Sequence, residues 1–366
     1  MKKTALLSVL LFAVLSLSFA AEVCFSGETS FSGVLSVPPA GDPWKFTSAT
    51  VKQTLELDVY GENTDLYVNG GAEYEALGSE VTAFLSEAYA DYFTGRFAFR
   101  LGRQKASWGT SEIMSAVNVI TPSDLSDPVE SSPLAIDALK LSYDAFPYSF
   151  DFYFIPFFTP STLPQSVLDM YSYYGIEITK PETKLENSEA AFKGSAYTSA
   201  GDFSLYGYWG WEDIPNMAGE YERLVMVGAS AAVPVGEVTL KGEAGWYPER
   251  DEVISASAGV EWIKNDLTLT GELYGVWNRE DKEITGQAGA AVNYSLLEGD
   301  LEISAGGILE LKELDGAVTA GATYSFTDEL KATASAVFMF EGVNGTGTYG
   351  AYKELDSLRF KAVYSF

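Results

Sequence analysis

LSEAYADYFTGRFAFRLGRQ, residues 85–104, reads as two strands and a turn. Phe97, Phe99 and Leu101 share one parity, and Arg96, Ala98 and Arg100 the other. Side chains alternate across the two faces of a strand, so one face of this segment is apolar and the other cationic. The preceding run alternates too: Ala88 and Ala90 fall on one face, Glu87, Tyr89 and Asp91 on the opposite one. A hairpin centred on Phe93-Thr94 sets Asp91 opposite Arg96 and Glu87 opposite Arg100, giving two cross-strand pairs of opposite charge.

The same alternation recurs from about residue 22 to the end of the chain. Val238, Leu240, Gly242, Ala244 and Trp246 oppose Thr239, Lys241 and Glu243; Leu358, Phe360, Ala362, Tyr364 and Phe366 oppose Ser357, Arg359, Lys361 and Ser365. A soluble sandwich also alternates, so the number of segments and the lengths of their connections matter more than the pattern itself. About eighteen segments of roughly ten residues can be drawn, with no helix between them. Tight turns such as Thr94-Gly95, Phe146-Pro147, Asn265-Asp266 and Thr327-Asp328 alternate with longer connections, above all 104–135 and 157–186. This is the pattern of an all-β, transmembrane antiparallel barrel of about 18 strands, with 16 as the runner-up, whose short turns and long loops lie on opposite sides of a membrane.

Residues 1–20 read as an export signal: Lys2 and Lys3, an apolar run, then Ser18-Phe19-Ala20 as a small-residue cleavage site. The expected organisation is therefore a signal peptide at 1–20 and one barrel domain over 21–366, placed in the cell outer membrane. After the leader there is no apolar run near the ~20 residues of a membrane-spanning helix, so a membrane location requires a closed barrel. Loss of Lys2 and Lys3 takes the formal net charge from −28 to −30, which disfavours nucleic acid as a partner. With 47% hydrophobic and 14% aromatic residues, this is not a disordered acidic chain. Cys24 is the only cysteine and histidine is absent, which excludes an internal disulfide, imidazole metal sites and any Ser-His-Asp or Cys-His catalytic set. No enzyme activity, cofactor or metal is expected.

The stretch around the hairpin also carries a resemblance. EAY at 87–89, LGRQ at 101–104, Trp108-Gly109 and a later Pro122-x-Asp124-Leu125 resemble a family of large porin-like outer-membrane barrels whose domain has no assigned function. Glu87, Tyr89, Gly102, Arg103, Gln104, Trp108, Gly109, Pro122 and Asp124 sit on that pattern, which covers about 45 residues. The resemblance implies a pore-like barrel and no particular substrate.

The loop after this hairpin is unusual for a solvated one, because Ile113, Met114, Val117, Val119 and Ile120 need a surface to cover. Folded into the barrel it narrows the channel, and Asp124 and Asp127 can then meet Arg103 or Arg100. Parity alone points Arg103 to lipid, and a bulge at Gly102 would turn it inward. Trp108 is either a girdle aromatic or the packing anchor of the loop. Tyr171, Tyr173 and Tyr174 of the fourth outer loop are rim aromatics or stacking platforms. The expected pore-lining set is Glu87, Asp91, Arg96, Arg100, Arg103, Trp108 and Asp124.

The functional expectation is a porin-like channel for small hydrophilic solutes, leaning to cations or neutral solutes because carboxylates outnumber cations on the inward parity. Uptake of hydrophobic or aromatic compounds and a structural or adhesive surface barrel are the alternatives. Expected partners are outer-membrane lipid and a lipopolysaccharide-like surface, the barrel assembly machinery through the C-terminal strand ending in Phe366, and small solutes, with oligomerisation left open.

Overall fold

Nearly every segment in which apolar residues recur at every second position is a strand, because that spacing satisfies two different solvents at once. The computed structural model describes residues 22–38, 43–127, 130–250, 252–279, 282–343, 347 and 349–366. The leader expected at 1–20 lies outside them. The strands run in chain order β1 (Glu22–Ser36), β2 (Lys45–Tyr60), β3 (Thr64–Glu75), β4 (Glu80–Thr94), β5 (Phe97–Gln104), β6 (Ser123–Asp124), β7 (Ser132–Pro133), β8 (Ile136–Ala145), β9 (Tyr148–Ile155) and β10 (Glu189–Thr198). They continue with β11 (Gly201–Trp211), β12 (Arg223–Val235), β13 (Val238–Tyr247), β14 (Val253–Lys264), β15 (Leu267–Asn278), β16 (Glu283–Leu296), β17 (Leu301–Glu310), β18 (Gly316–Ser325), β19 (Leu330–Phe340) and β20 (Ser357–Ser365).

Eighteen of these form one antiparallel sheet, and β6 and β7 make a separate two-residue hairpin inside a loop. The sheet closes on itself: β1 pairs with β2 on one side and with β20 on the other, from Glu28 opposite Ser365 to Ser36 opposite Ser357. Closure leaves no edge strand, so the backbone groups of the wall pair within it, as a bilayer requires. The expectation of eighteen strands holds.

Leu101, Leu205, Val227, Leu240, Leu273, Ile303 and Phe360 all project from the outer face and are exposed. Trp209, Trp246 and Trp277 lie near one end of their strands, and Tyr294, Tyr324 and Tyr364 near the other. An apolar band between two aromatic belts is the surface of a barrel that sits in a membrane. In water, so much exposed apolar surface would be an aggregation hazard.

Two features differ from the sequence reading. The β4–β5 turn is centred on Gly95-Arg96 and not on Phe93-Thr94, because Gly95 supplies the positive φ (59°) that a two-residue hairpin loop needs. The turn centre moves by two residues and the register therefore by four, so Asp91 lies opposite Arg100. The second difference is a helix, α1 (Gln165–Tyr173), in the fourth outer loop. Its Tyr171 is buried and donates to the carbonyls of Pro215 (3.2 Å) and Asn216 (3.0 Å), whereas Tyr173 and Tyr174 remain exposed with their rings edge to face.

The largest buried apolar cluster is inside the barrel. Trp108, Val117 and Ile120 of the third outer loop (residues 105–135) pack against Ile136, Tyr153, Ile155, Tyr206, Tyr208, Leu224, Met226 and Tyr247 of the wall.

Candidate functional site

That loop forms the site. Its apolar residues cover an apolar patch on the inner wall, and the hydrophobic effect folds the loop inward because no other surface is available to those side chains. Trp108 is 3% exposed, and its ring centre lies 5.2 Å from that of Tyr206. Of its two expected roles, Trp108 takes that of packing anchor. Wall glycines make room for the loop: a Cβ on Gly245 would stand 2.4 Å from the carbonyl oxygen of Ala116, and one on Gly289 2.8 Å from Ile113.

Folding a loop into the lumen strips its backbone N–H groups of water, and each needs a new acceptor. Two carboxylates of the wall provide most of them. Glu243 on β13 accepts the amides of Thr110, Ser111 (2.7 Å) and Ala116 (2.8 Å) and the hydroxyl of Ser115 (2.7 Å). Glu272 on β15 accepts the amides of Glu112 (2.7 Å), Ile113 (3.0 Å) and Met114 (3.0 Å). Both carboxylates are almost wholly buried. Bonds from N–H groups to an ionised carboxylate are about twice as strong as neutral ones, so these two side chains hold the segment 110–116 as a pair of clamps. Tyr247 and Ser255 donate to the carbonyl of Ala116 (2.8 and 3.1 Å), and Lys241 bridges Glu112 of the loop to Glu261 of the wall.

Beside the clamped loop, the lumen carries the hairpin charges. Arg100 donates from Nε and Nη2 to the two oxygens of Asp91, both at 2.8 Å. Its guanidinium also lies 3.8 Å over the ring of Tyr89, which in turn stands 5.1 Å from the ring of Tyr67. Lys140, the rung neighbour of Arg100 on β8, pairs with Asp151 at 3.2 Å.

The other expected residues are dispersed. Glu87 faces the lumen but accepts the backbone amide of Lys105 (2.9 Å) in place of Arg100. Arg96 occupies the exposed Gly95-Arg96 turn, so the expectation of a wall position opposite Asp91 is corrected by the register. Arg103 keeps its outward parity, because Gly102 takes an unusual φ (136°) without breaking the ladder. Its guanidinium is satisfied on that face by the carbonyl of Leu85 (3.1 Å) and by Asp137 (3.8 Å). The inward turn expected for Arg103 does not occur.

Asp124 meets neither Arg100 nor Arg103. It accepts from the amide of Ser126 (3.0 Å) and the hydroxyl of Thr162 (2.8 Å), joining the third loop to the fourth. Burial pushes its carboxyl up, but the donors from Ser126 and Thr162 outweigh this and hold it below the usual value. Asp127 crosses to the far wall, where Arg359 on β20 binds it through both guanidinium nitrogens (2.6 and 3.2 Å) and also pairs with Glu130 (3.2 Å).

Alternation sets Glu243 and Arg359 on the polar faces of their strands but assigns a task neither to them nor to Glu272. The only signal in the sequence was the apolar composition of the loop, which says that the loop docks and not on what. Among the described residues no cluster of carboxylate, cysteine or histidine side chains is arranged to hold a metal ion.

No protein-family model and no curated protein sequence matches the chain, so the resemblance of residues 85–128 rests on its motif alone. Solved structures do match in fold. Pseudomonas aeruginosa OccK2 (OpdF) has a TM-score of 0.63 at 10% identity, over 94% of this chain and 98% of that one. OpdQ of the same organism has a TM-score of 0.60 at 8% identity, covering 94% and 97%. Acinetobacter baumannii OccAB1 has a TM-score of 0.56 at 8% identity, covering 95% and 96%. Over 94–95% of its length, the chain shares the fold of these proteins.

Proposed function

We propose that the protein is an outer-membrane channel through which small hydrophilic solutes diffuse, narrowed by its third outer loop. The observation that carries this reading is the clamping of residues 110–116 by Glu243 and Glu272: the loop covers the apolar part of the inner wall and leaves polar surface facing the remaining lumen. The fold shared with OccK2, one of whose structures is a complex with glucuronate, supports a solute channel over a closed structural barrel. The acidic inward residues of β2–β4, among them Glu56, Asp58, Asp65, Glu87 and Asp91, favour cations and neutral solutes over anions. Arg100, Asp91 and Glu87 shape the field beside the loop. No catalytic role is assigned to any of these groups.

The test is single-channel recording on refolded protein in planar bilayers. Stable conductance with a reversal potential on the cation side is the expected result. A barrel that folds and inserts but carries no current would overturn the reading in favour of a structural one.

A further inference from the structure

The wall that continues past the clamps, from β17 round to β2, has a different chemistry. One rung of the sheet runs, strand by strand from β17 to β2, through Glu302, Thr323, Thr333, Lys361, Ser32 and Thr50. Thr323 and Thr333 exchange a hydrogen bond (2.9 Å), and Ser32 contacts Thr50. On the neighbouring rung toward the outer side, Ser304 and Ser335 flank Gly321, and Arg359 follows Ser335. Two cavities lie over this surface, of about 320 and 200 Å³. They share Ser335 and Glu130, so the loop residue Glu130 and its partner Arg359 stand at the junction.

Hydroxyl groups both donate and accept, and a wall of them matches a solute that does the same. The charges here nearly balance: Arg359 and Lys361 stand against Asp127, Glu130 and Glu302. An ion of either sign thus meets opposed fields on this wall. An apolar solute finds no continuous greasy path, because the apolar patch of the lumen lies under Trp108, Val117 and Ile120. Taking the channel reading above as its basis, we infer that the β17–β1 wall is the solute path and that it favours uncharged polyhydroxylated solutes of the saccharide or polyol class.

Swelling of proteoliposomes tests this, using a neutral hexose, its amino analogue and its carboxylate analogue at matched size. The hexose is expected to enter fastest. Thr333→Val combined with Ser32→Ala should lower hexose entry by about threefold to tenfold, the effect of losing one or two neutral hydrogen bonds. Potassium conductance should change little, and Thr333→Ser should keep the wild-type rate. Folding of each variant is checked by the heat-dependent shift in its gel mobility. Hexose entry no faster than that of both analogues, or insensitive to the double change in a folded barrel, overturns the inference and leaves the channel intact. Loss of all conductance in the wild-type protein removes the channel reading itself.

Discussion

Arg100 is bound by Asp91, one rung across the β4–β5 hairpin, with two donors 2.8 Å from the two carboxylate oxygens and the guanidinium seated on Tyr89. Asp91 is almost wholly buried while Arg100 is partly open to the lumen, so removing the arginine leaves a carboxylate without its main partner. Arg100→Met should cost about 1–3 kcal/mol, the penalty of an unsatisfied buried polar group. Arg100→Glu should in addition shift the reversal potential toward cations, and Asp91→Arg with Arg100→Asp should restore it most of the way. A single-mutant reversal potential equal to that of the wild type would reduce the pair to a device that fixes strand register.

The two clamps predict a wider channel when released. Glu243→Ala with Glu272→Ala removes the acceptors of six backbone amides of the third loop, each charge-assisted bond being worth about 1.5–3 kcal/mol. The barrel should still fold, since its ladders are untouched, but conductance should rise and added protease should cut within 105–120.

Trp108→Ala should act in the same direction by emptying the anchor pocket, a loss of about 3–5 kcal/mol in loop docking. Trp108→Phe should come close to wild type, because the indole Nε1 has no hydrogen-bond partner among the described residues. Unchanged conductance in the double glutamate variant, or in Trp108→Ala, would mean that the loop is held by other contacts.

How much of this was legible in the sequence follows from the range of each interaction. Strands such as 238–247 and 357–365 could be read locally, because a period of two is a property of neighbours. The β4–β5 register differs by four residues from the one that alternation suggests. Such a shift keeps every side chain on its face, so parity gave no warning, and only the positive φ available to Gly95 separates the two hairpins. Arg103 was expected inward to spare it from lipid, yet Asp137, 34 residues ahead, satisfies it on the outer face. The clamps lie further off still: Glu243 stands 127 to 133 positions from the amides it accepts, and Arg359 stands 232 from Asp127. No local pattern encodes such partners, although the apolar run from Ile113 to Ile120 did announce that the loop would be buried.

The junction of the fourth and fifth outer loops should respond to pH. Asp213, in the loop between β11 and β12, is half-buried, and its partial desolvation raises its carboxyl above the ordinary 3.8 despite the donated hydroxyl of Ser161. A carboxyl with a raised value in the folded state favours folding at low pH. That contribution is lost as pH rises from the ordinary carboxylate value through the folded one. Amide exchange at Ser161, whose N–H is bound to the carbonyl of Asp213 (2.9 Å), should therefore be slower at acid pH after correction for intrinsic rates. Asp213→Asn should abolish the difference, and a difference that persists in that variant would assign it to another group.

The seam that closes the barrel gives the last prediction. Gly27 and Phe366 exchange both backbone hydrogen bonds at 3.0 Å, and the Phe366 ring lies where a Cβ on Gly27 would stand, 2.6 Å from Cζ. Phe366 thus extends the β1–β20 ladder beyond Ser365 and covers the glycine, while Tyr364 stacks beside it at 6.3 Å. Deleting Phe366 leaves two backbone groups of Gly27 without partners near the membrane interface, where an unmade bond costs more than in water. The yield of folded barrel should fall while export continues. Phe366→Ala keeps the backbone bonds and removes only the ring, so it should fall between the deletion and the wild type. Gly27→Val pushes the aromatic aside and also sets a Cβ 2.9 Å from the carbonyl oxygen of Thr54, so its yield should be at or below that of Phe366→Ala. If the deletion folds at wild-type yield, closure does not depend on the final rung; if Phe366→Ala is as poor as the deletion, the ring matters more than the ladder.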